Sequence, residues 1–276
     1  MLNFELNTIT NKNKPMKNLI TILSFAILLF SCNKKEIKET STSKSDSAEI
    51  KKEFVIDSIQ VQDSLQVAKT LTLSFEKQVL IFPSITNKTI LDSIYKPANI
   101  TSADYSKKTL MQVLEKFKTE SLKKDESQDY TPEYKQTWEE ASAMKVISHQ
   151  NDILTLQYSG SGYSGGAHGY YFEAYKAFDL KNNKVISQAD IFKNPTDANW
   201  DKILKNHFDE PEQKDMLLVD KIELNNNFYF DQDKITFAYN QYEITAYAAG
   251  VVYITLNFKD IKDQLKPEFV KQYNIK

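Results

Sequence analysis

The chain has 276 residues, of which 41% are hydrophobic and 26% are charged, and its formal net charge is −2. These values describe an ordinary globular protein of one domain or two small ones, and they give no indication of a nucleic-acid partner. All 35 basic residues are lysine, which excludes bidentate recognition of phosphate or carboxylate by a guanidinium group.

The N-terminal residues have the pattern of a bacterial lipoprotein signal. A basic start at Lys17 is followed by a short apolar run over residues 19–30 and then by a small residue before Cys32. The run is shorter than the roughly 20 residues that a membrane-spanning helix needs. We therefore interpret residues 16–32 as a signal peptide and Cys32 as the lipid attachment site.

Two further segments lie outside the predicted folded part. Residues 1–15 are polar and precede an internal start, so we interpret them as a misplaced translation start. Residues 33–53 contain mostly Lys, Glu, Ser and Thr, which cannot bury enough apolar surface to fold. A flexible tether of about 20 residues has a typical reach of ~25 Å. The tether and the lipid on Cys32 together predict a protein that is held at a membrane of the cell envelope, on the periplasmic or outer-membrane face.

The first half of the predicted folded part, residues 54–186, begins with apolar alternation. The pattern over residues 71–83 favours two strands or one long bent strand. A short helix is predicted over residues 87–95, and a longer helix is predicted from capping residues 101–102 to about residue 124. Three strands follow in a predicted antiparallel meander, over residues 138–149, 153–158 and 170–180.

The two connections of this meander differ in kind. Asn151-Asp152 is typical of a tight β-hairpin turn. The second connection contains five of the six glycines of the chain, all within residues 160–169. Because glycine tolerates positive φ and close approach of another backbone, this clustering predicts one tightly specified turn between two strands.

The second half, residues 187–276, is predicted to contain three helices and three strands. The helices lie over residues 187–192, 197–208 and 211–219, and the strands lie over residues 228–230, 235–239 and 251–258. Because helices and strands are segregated and no repeating βαβ unit occurs, we predict an α+β fold. Its sheets are mainly antiparallel meanders with helices packed on one face, and the two halves form one compact unit.

Few side chains suggest catalysis. His168 lies at the glycine-rich turn, but a base needs an orienting partner and a cleft, so we expect its ring to bond its own turn. Glu243 has aromatic and apolar neighbours in sequence and is a candidate acid if buried, although we favour a role in bracing its loop. The three histidines lack the spacing of a metal site. We predict no metal, no cofactor and no catalytic residue.

Four segments of the chain together carry a family resemblance. They are Tyr163-Ser164-Gly165-Gly166-Ala167-His168-Gly169, Phe178-Asp179-Leu180, Asp190-Ile191-Phe192 and residues 240–250. These segments resemble the domain pair known as domains of unknown function 4163 and 3298. That pair is found in the extracellular part of RsiV-type anti-sigma factors and beside the catalytic domain of PdaC-type peptidoglycan deacetylases. The resemblance extends over roughly residues 55–264, with residues 54–186 similar to the first domain and 187–276 to the second.

The resemblance implies a non-catalytic binding module, because RsiV-type domains bind lysozyme and the deacetylases carry theirs outside the catalytic unit. The expected ligand is a lysozyme-like protein or a peptidoglycan glycan. Two alternatives stay open: a peptidoglycan-acting hydrolase or deacetylase-associated enzyme that uses His168 and Glu243, and a purely structural lipoprotein. We call the glycine-rich turn, with the first residue of the strand that follows it, and residues 240–250 the two signature segments. The candidate binding residues are those in them whose side chains suit an interface: Tyr163, His168, Tyr170, Tyr242, Glu243 and Tyr247.

Charge gives a further indication of a partner. Residues 187–233 contain eleven acidic residues and five lysines, which gives this stretch a local charge of −6. An acidic surface of this kind can steer a basic partner, although solvated acidic helices are also common.

Overall fold

A computed structural model describes residues 54–123 and 131–276. The predicted translation-start region, the signal peptide, Cys32 and the tether lie outside these ranges, as does the predicted end of the second helix. Within the described ranges, no helix is long and apolar enough to cross a membrane. The described residues belong to one compact unit, Lys51–Lys276.

The first sheet has six strands that lie side by side in chain order. They are β1 (Asp57–Ala68), β2 (Leu71–Ile81), β3 (Gln136–Gln150), β4 (Ile153–Tyr163), β5 (Tyr170–Asp179) and β6 (Lys184–Ile186). Every neighbouring pair is antiparallel except β2 and β3, which are parallel. A parallel pair requires a crossover connection, and this one contains α1 (Lys88–Tyr95), a 3₁₀ helix (Lys96–Ala98) and α2 (Lys107–Ser121).

The start of this sheet differs from the sequence prediction. β2 is one long strand, which is one of the two predicted arrangements, whereas β1 was not predicted at all. Only Ile59 and Val61 among the 12 residues of β1 are buried, so the strand lacks the apolar alternation by which strands are recognised. Backbone pairing with β2 along nearly its whole length holds β1 in place instead.

The second helix begins later than its predicted cap. Ser106 is the N-cap of α2, and its side chain accepts a hydrogen bond from the backbone amide of Thr109 at 3.2 Å. The predicted cap at residues 101–102 is wrong because the chain is first held against α1. The ring of Tyr105 stacks on that of Tyr95 in α1, with centroids 4.5 Å apart, and the helix starts only after this contact.

The predicted meander is confirmed as β3, β4 and β5. Asn151 and Asp152 connect the first two strands with φ values of 51° and 61°. Two successive residues with positive φ are typical of a type I′ hairpin turn, for which asparagine and aspartate are favoured. The sequence therefore specified this turn locally.

The second sheet has three antiparallel strands, and four short helices surround it. The strands are β7 (Phe228–Phe230), β8 (Lys234–Tyr239) and β9 (Val252–Asn257), and the helices are α3 (Gln188–Ile191), α4 (Asn199–Asn206), α5 (Pro211–Lys214) and α6 (Pro267–Tyr273). Short 3₁₀ helices occur at Tyr247–Ala249, Phe258–Asp260 and Lys262–Gln264. α5 is shorter than predicted because Leu217 forms a β-bridge with Thr245, which requires extended backbone.

Two apolar cores lie on opposite faces of the first sheet. One core packs α1 and α2 against the sheet and includes Ile94, Leu114 and Phe178. The other core belongs to the second half and reaches the sheet through Ile153 and Ala177. Successive side chains of a strand point to opposite faces, so β4 and β5 supply apolar residues to both cores. The predicted α+β class with mainly antiparallel sheets is confirmed.

A buried carboxylate at the end of β5 connects the two halves. Asp179 accepts hydrogen bonds from the backbone amide of Asn182 at 2.9 Å and from the phenol of Tyr273 in α6 at 2.7 Å. Burial acts to raise the pKa of Asp179, but these bonds lower it below its ordinary value. The Phe178-Asp179-Leu180 segment therefore has a structural role, which is to hold α6 against the sheet.

Candidate functional site

The glycine-rich turn between β4 and β5 is held by its own hydrogen bonds. Gly165 and Gly166 have φ values of 93° and 92°, a conformation that other residues rarely adopt. The phenol of Tyr163 donates to the carbonyl of Gly166 at 3.1 Å. The Nδ1 atom of His168 lies 2.8 Å from the carbonyl oxygen of Gly169, so the histidine contacts its own turn.

The glycines that precede the turn leave room for aromatic rings. A Cβ atom at Gly160 would collide with the ring of Phe172, and one at Gly162 would lie 2.6 Å from Cε1 of Tyr170. Each glycine is paired with its aromatic residue across β4 and β5. The rings of Tyr170 and Phe172 therefore lie over the bare backbone of β4.

The second signature segment, residues 240–250, folds into a compact loop. Tyr242 has a φ of 66°, and its backbone amide donates to the carbonyl of Thr245 at 3.0 Å. The loop then forms the 3₁₀ helix at Tyr247–Ala249 and ends at Gly250, whose φ is 70°. The loop thereby presents two tyrosines to solvent or to neighbouring residues.

The two signature segments meet. The ring of His168 stacks on that of Tyr247, with centroids 3.9 Å apart, and the ring of Tyr242 lies 5.9 Å from that of Tyr247. The backbone amide of Tyr171 also donates to the side chain of Gln241 at 3.3 Å. The structure thus brings together three of the six candidate binding residues.

The other three candidates are placed differently. Glu243 is exposed, and its side chain and backbone amide both contact Asn240, which agrees with the bracing role. Tyr163 is partly buried in its own turn. Tyr170 lies on the opposite face of β5 from Tyr171, because neighbouring strand residues alternate between faces.

Sequence reasoning missed a buried carboxylate beside the two segments. Glu173, in β5, is only 8% exposed. Its carboxylate accepts hydrogen bonds from the phenols of Tyr171, Tyr175 and Tyr253, the last of which belongs to β9. In the described part of the chain, no lysine lies within ion-pair distance of Glu173. The period-two spacing of Tyr171, Glu173 and Tyr175 was the one signal in the sequence, since it places them on one face.

The phenols keep this carboxylate ionised. Burial acts to raise the pKa of Glu173, but the hydrogen bonds from Tyr171, Tyr175 and Tyr253 lower it below its ordinary value. The pKa values of the phenols change in the opposite direction. Burial and the bond to Glu173 raise the pKa of Tyr171 to about 12.

Two asparagines complete the connection around Glu173. The side-chain oxygen of Asn240 accepts from the backbone amide of Glu173 at 2.8 Å, and that of Asn227 accepts from the amide of Tyr175 at 2.6 Å. Both side-chain amides donate to the carbonyl of Glu173. β6 pairs only with residues 177–179 of β5, so the asparagines satisfy backbone groups where that neighbour has ended.

An open acidic cavity of about 480 Å³ adjoins residues 240–250. Its lining includes Glu210 and Glu212 together with Ala249 and Tyr253. The side chain of Gln213 donates to the carbonyl of Ala249 at 2.8 Å and so fixes α5 beside the loop. We call this cavity, together with His168, Tyr171, Tyr242 and Tyr247, the loop-240 surface.

The described residues contain no group of three or more His, Cys, Asp or Glu side chains that could hold a metal ion. The loop-240 surface combines aromatic rings and acidic side chains, and hydrogen bonds hold the backbone beneath them. Such an arrangement suits recognition of a partner.

Comparison with known protein families shows which family this chain belongs to. The family described as "Protein of unknown function (DUF3298)" matches residues 98–259. The chain belongs to this family. The DUF3298 match includes the glycine-rich turn, Glu173 and the whole of the second sheet, and it extends across the predicted division between residues 186 and 187.

Two solved DUF3298 structures share this fold. A family member from Bacteroides fragilis is 20% identical, with a TM-score of 0.65, and the similarity covers 81% of this chain and 98% of that one. A family protein from Pseudomonas aeruginosa is 15% identical, with a TM-score of 0.50. The similarity covers 77% of this chain and 95% of that one. At these identities the likeness concerns the fold alone. No functionally curated protein matches this chain.

Proposed function

We propose that this chain is a lipid-anchored binding module of the cell envelope that recognises a basic protein, such as a lysozyme, through the loop-240 surface. The observation that carries the proposal is that the exposed ring of Tyr253 lines one cavity with Glu210 and Glu212, next to the aromatic residues of the 240–250 loop. A surface of this composition complements a cationic protein both in charge and in apolar contact.

The aromatic part of the surface is accessible. Tyr242 is 61% exposed and Tyr253 is 42% exposed, while Tyr247 lies between His168 and Tyr242. Tyrosine is enriched among the residues that dominate interface energies, because it has a large apolar ring and a polar tip. The hydrogen bond of Tyr253 to Glu173 fixes that ring before a partner arrives. Less conformational entropy is then lost on binding.

The acidic part is free to attract a partner. Glu210 and Glu212 of the cavity are exposed, as is Asp209, which precedes them in the chain. Within residues 54–123 and 131–276, no lysine nitrogen lies within 4.0 Å of these three carboxylates. Charges that are not already paired contribute fully to the electrostatic potential that steers an approaching protein. The family resemblance supports the same partner, because RsiV-type domains bind lysozyme.

The proposed anchor explains how such a surface is presented. Lipid on Cys32 holds the chain at a membrane, and the tether of residues 33–53 lets the folded unit reach about 25 Å from it. A second candidate ligand is a peptidoglycan glycan, because exposed tyrosine rings also suit the faces of sugars. Binding of a basic protein should depend strongly on the acidic side chains, whereas binding of a glycan should not.

The test compares lysozyme and purified peptidoglycan as ligands for residues 51–276. We expect lysozyme to bind with an association rate that falls steeply between ~50 and ~300 mM NaCl, since exposed charges are screened at the higher salt. Binding to peptidoglycan alone, with little salt dependence, would favour the glycan. Release of product from peptidoglycan by the wild-type protein would overturn the proposal in favour of an enzyme.

A further inference from the structure

A second cavity lies on the other face of the first sheet, beside α1 and α2. It has a volume of about 120 Å³ and is lined by residues of β2 to β5 and of the 3₁₀ helix that follows α1. Its floor contains a row of directly paired residues, one from each strand: Lys77, Ser142, Gly160 and Phe172. Gly160 supplies no side chain to this row, and the ring of Phe172 lies over its backbone.

Lys77 lies at the base of this cavity. It is 8% exposed, and its ammonium group donates to the hydroxyl of Ser142 at 3.2 Å. Its nitrogen also lies 5.3 Å from the centre of the ring of Phe117. An ammonium group has three donors, and no carboxylate in the described ranges lies within 4.0 Å of this one. A buried charge with so few partners favours an additional acceptor in the cavity.

Glu140 lies at the rim of the same cavity. It belongs to the neighbouring row of the sheet, in which it is paired with Gly162 of β4, and Gly162 is paired with Tyr170 of β5. Glu140 is exposed, and one of its oxygens accepts from the hydroxyl of Ser121 in α2 at 2.7 Å. Burial lowers the pKa of Lys77, and the charge of Glu140 opposes this effect. The two groups are thus electrostatically coupled without forming an ion pair.

The side of the cavity opposite Lys77 is aromatic. Phe172 is 37% exposed and Tyr170 is 52% exposed, and both rings are held over glycine backbone. The cavity therefore offers a cationic donor at its base, a carboxylate at its rim and an aromatic wall opposite the cationic donor. A simple anion would be repelled by Glu140, and a simple cation would be repelled by Lys77.

We propose that this cavity binds a compact zwitterion of the amino-acid class. The ligand carboxylate accepts from the ammonium of Lys77 at the base. The ligand ammonium donates to the carboxylate of Glu140 at the rim, and a short side chain contacts the ring of Phe172. This site lies on the opposite face of the sheet from the loop-240 surface, so it is independent of the proposed function.

The test uses glycine, L-alanine and D-alanine as probes, with acetate and methylamine as matched half-ligands. Amide chemical shifts of residues 51–276 are followed by NMR as each probe is added. We expect saturable shifts around Lys77 and Phe172 with at least one amino acid, at millimolar affinity, and binding at least tenfold weaker with each half-ligand. Equal affinity for acetate, or no saturable shift with any amino acid, overturns the proposal.

Two variants assign the contacts. Glu140→Gln should weaken amino-acid binding about tenfold, whereas Glu139→Gln should leave it unchanged. Glu139 is the adjacent exposed carboxylate of β3, and its side chain points to the opposite face. Lys77→Met should abolish binding, with an unfolding transition recorded to show that the variant folds. Unchanged binding in Glu140→Gln contradicts the proposal even if Lys77→Met does not fold, because Glu140 is exposed.

Discussion

The imidazole ring of His168 and the phenol ring of Tyr247 stack with centroids 3.9 Å apart and planes inclined by 26°. His168 follows Gly165 and Gly166 in one signature segment, and Tyr247 begins the 3₁₀ helix of the other. This contact makes one surface from two segments that are almost 80 residues apart in the chain. Both segments also carry residues with positive φ, Gly165 and Gly166 in the first and Tyr242 and Gly250 in the second.

The first prediction concerns Tyr247 as an interface residue. Tyr247→Ala should raise the dissociation rate from lysozyme by about tenfold or more, because a central aromatic ring contributes strongly to interface energy. The association rate should change little. Biolayer interferometry measures both rates. Tyr134→Ala is the matched control, since Tyr134 is 70% exposed and lies outside the loop-240 surface. Equal effects of the two substitutions would show that Tyr247 has no special role.

Much of the fold was predictable because its signals are local. Asn151 and Asp152 specify a hairpin turn by their own conformational preferences, and Gly165 and Gly166 do so by positive φ. β1 was not predictable, since it is held by pairing with β2 and not by apolar periodicity. The site was predictable only in part. The sequence identified His168 and Tyr247, but it could not show that Glu173 accepts a bond from Tyr253, because that contact is made by folding.

The second prediction concerns backbone strain in the glycine-rich turn. Gly166 has a φ of 92°, and a Cβ atom added there would meet no other heavy atom within 4 Å, so a substitution mainly tests the backbone conformation. Gly166→Val should lower the free energy of unfolding by more than ~1 kcal/mol, because a β-branched residue is strained at positive φ. Urea denaturation measures the difference. Ala167→Val is the control, since Ala167 does not have a positive φ. Equal stability of both variants would contradict the need for glycine.

The third prediction concerns the pH dependence of stability. The pKa of Glu173 is lowered in the folded state from its ordinary value of 4.5, so its ionised form is stabilised by folding. Its contribution is fully present above pH 4.5 and is lost as the pH falls through the lower folded pKa. Glu173→Gln should therefore lower the free energy of unfolding by about 2 kcal/mol at pH 7, because a neutral amide is a poorer hydrogen-bond acceptor for Tyr175 than a carboxylate. This difference in the free energy of unfolding should become smaller at acidic pH, because Glu173 is then protonated in the wild-type protein as well.

Thermal unfolding of both proteins from pH 7 to pH 3 measures this change. The gap in Tm between wild type and Glu173→Gln should narrow below pH 4.5. Tyr253→Phe removes one phenol donor without removing the charge, so it should retain most of the acid dependence. A gap that stays constant over the whole range would show that the charge of Glu173 does not contribute to stability.

The fourth prediction concerns the proposed anchor. Cys32→Ser should release the full-length protein from the membrane fraction, because the thiol is the proposed site of lipid attachment. Fractionation followed by mass spectrometry measures both location and mass. Ser31→Ala, which keeps a small residue before the cysteine, should remain in the membrane. Unchanged partitioning and unchanged mass in Cys32→Ser would contradict lipidation.

The last prediction separates steering from contact at the loop-240 surface. Asp209, Glu210 and Glu212 are exposed and act on an approaching basic protein at a distance. Reversing all three to lysine should lower the association rate of lysozyme at ~50 mM NaCl and should have much less effect at ~300 mM, where exposed charges are screened. The dissociation rate should change less than it does in Tyr247→Ala.

The control for this reversal is an acidic set of equal charge elsewhere on the chain. Asp260, Asp263 and Glu268 are exposed, and in the described ranges no lysine nitrogen lies within 4.0 Å of their carboxylates. They follow the end of β9 that is remote from residues 240–250, and their triple reversal to lysine changes the net charge by the same amount. If overall charge alone governs the encounter, the two triple variants will slow association equally. If the loop-240 surface is the docking site, only the reversal at Asp209, Glu210 and Glu212 will lose most of the salt-dependent rate, because steering acts most strongly where the partner arrives.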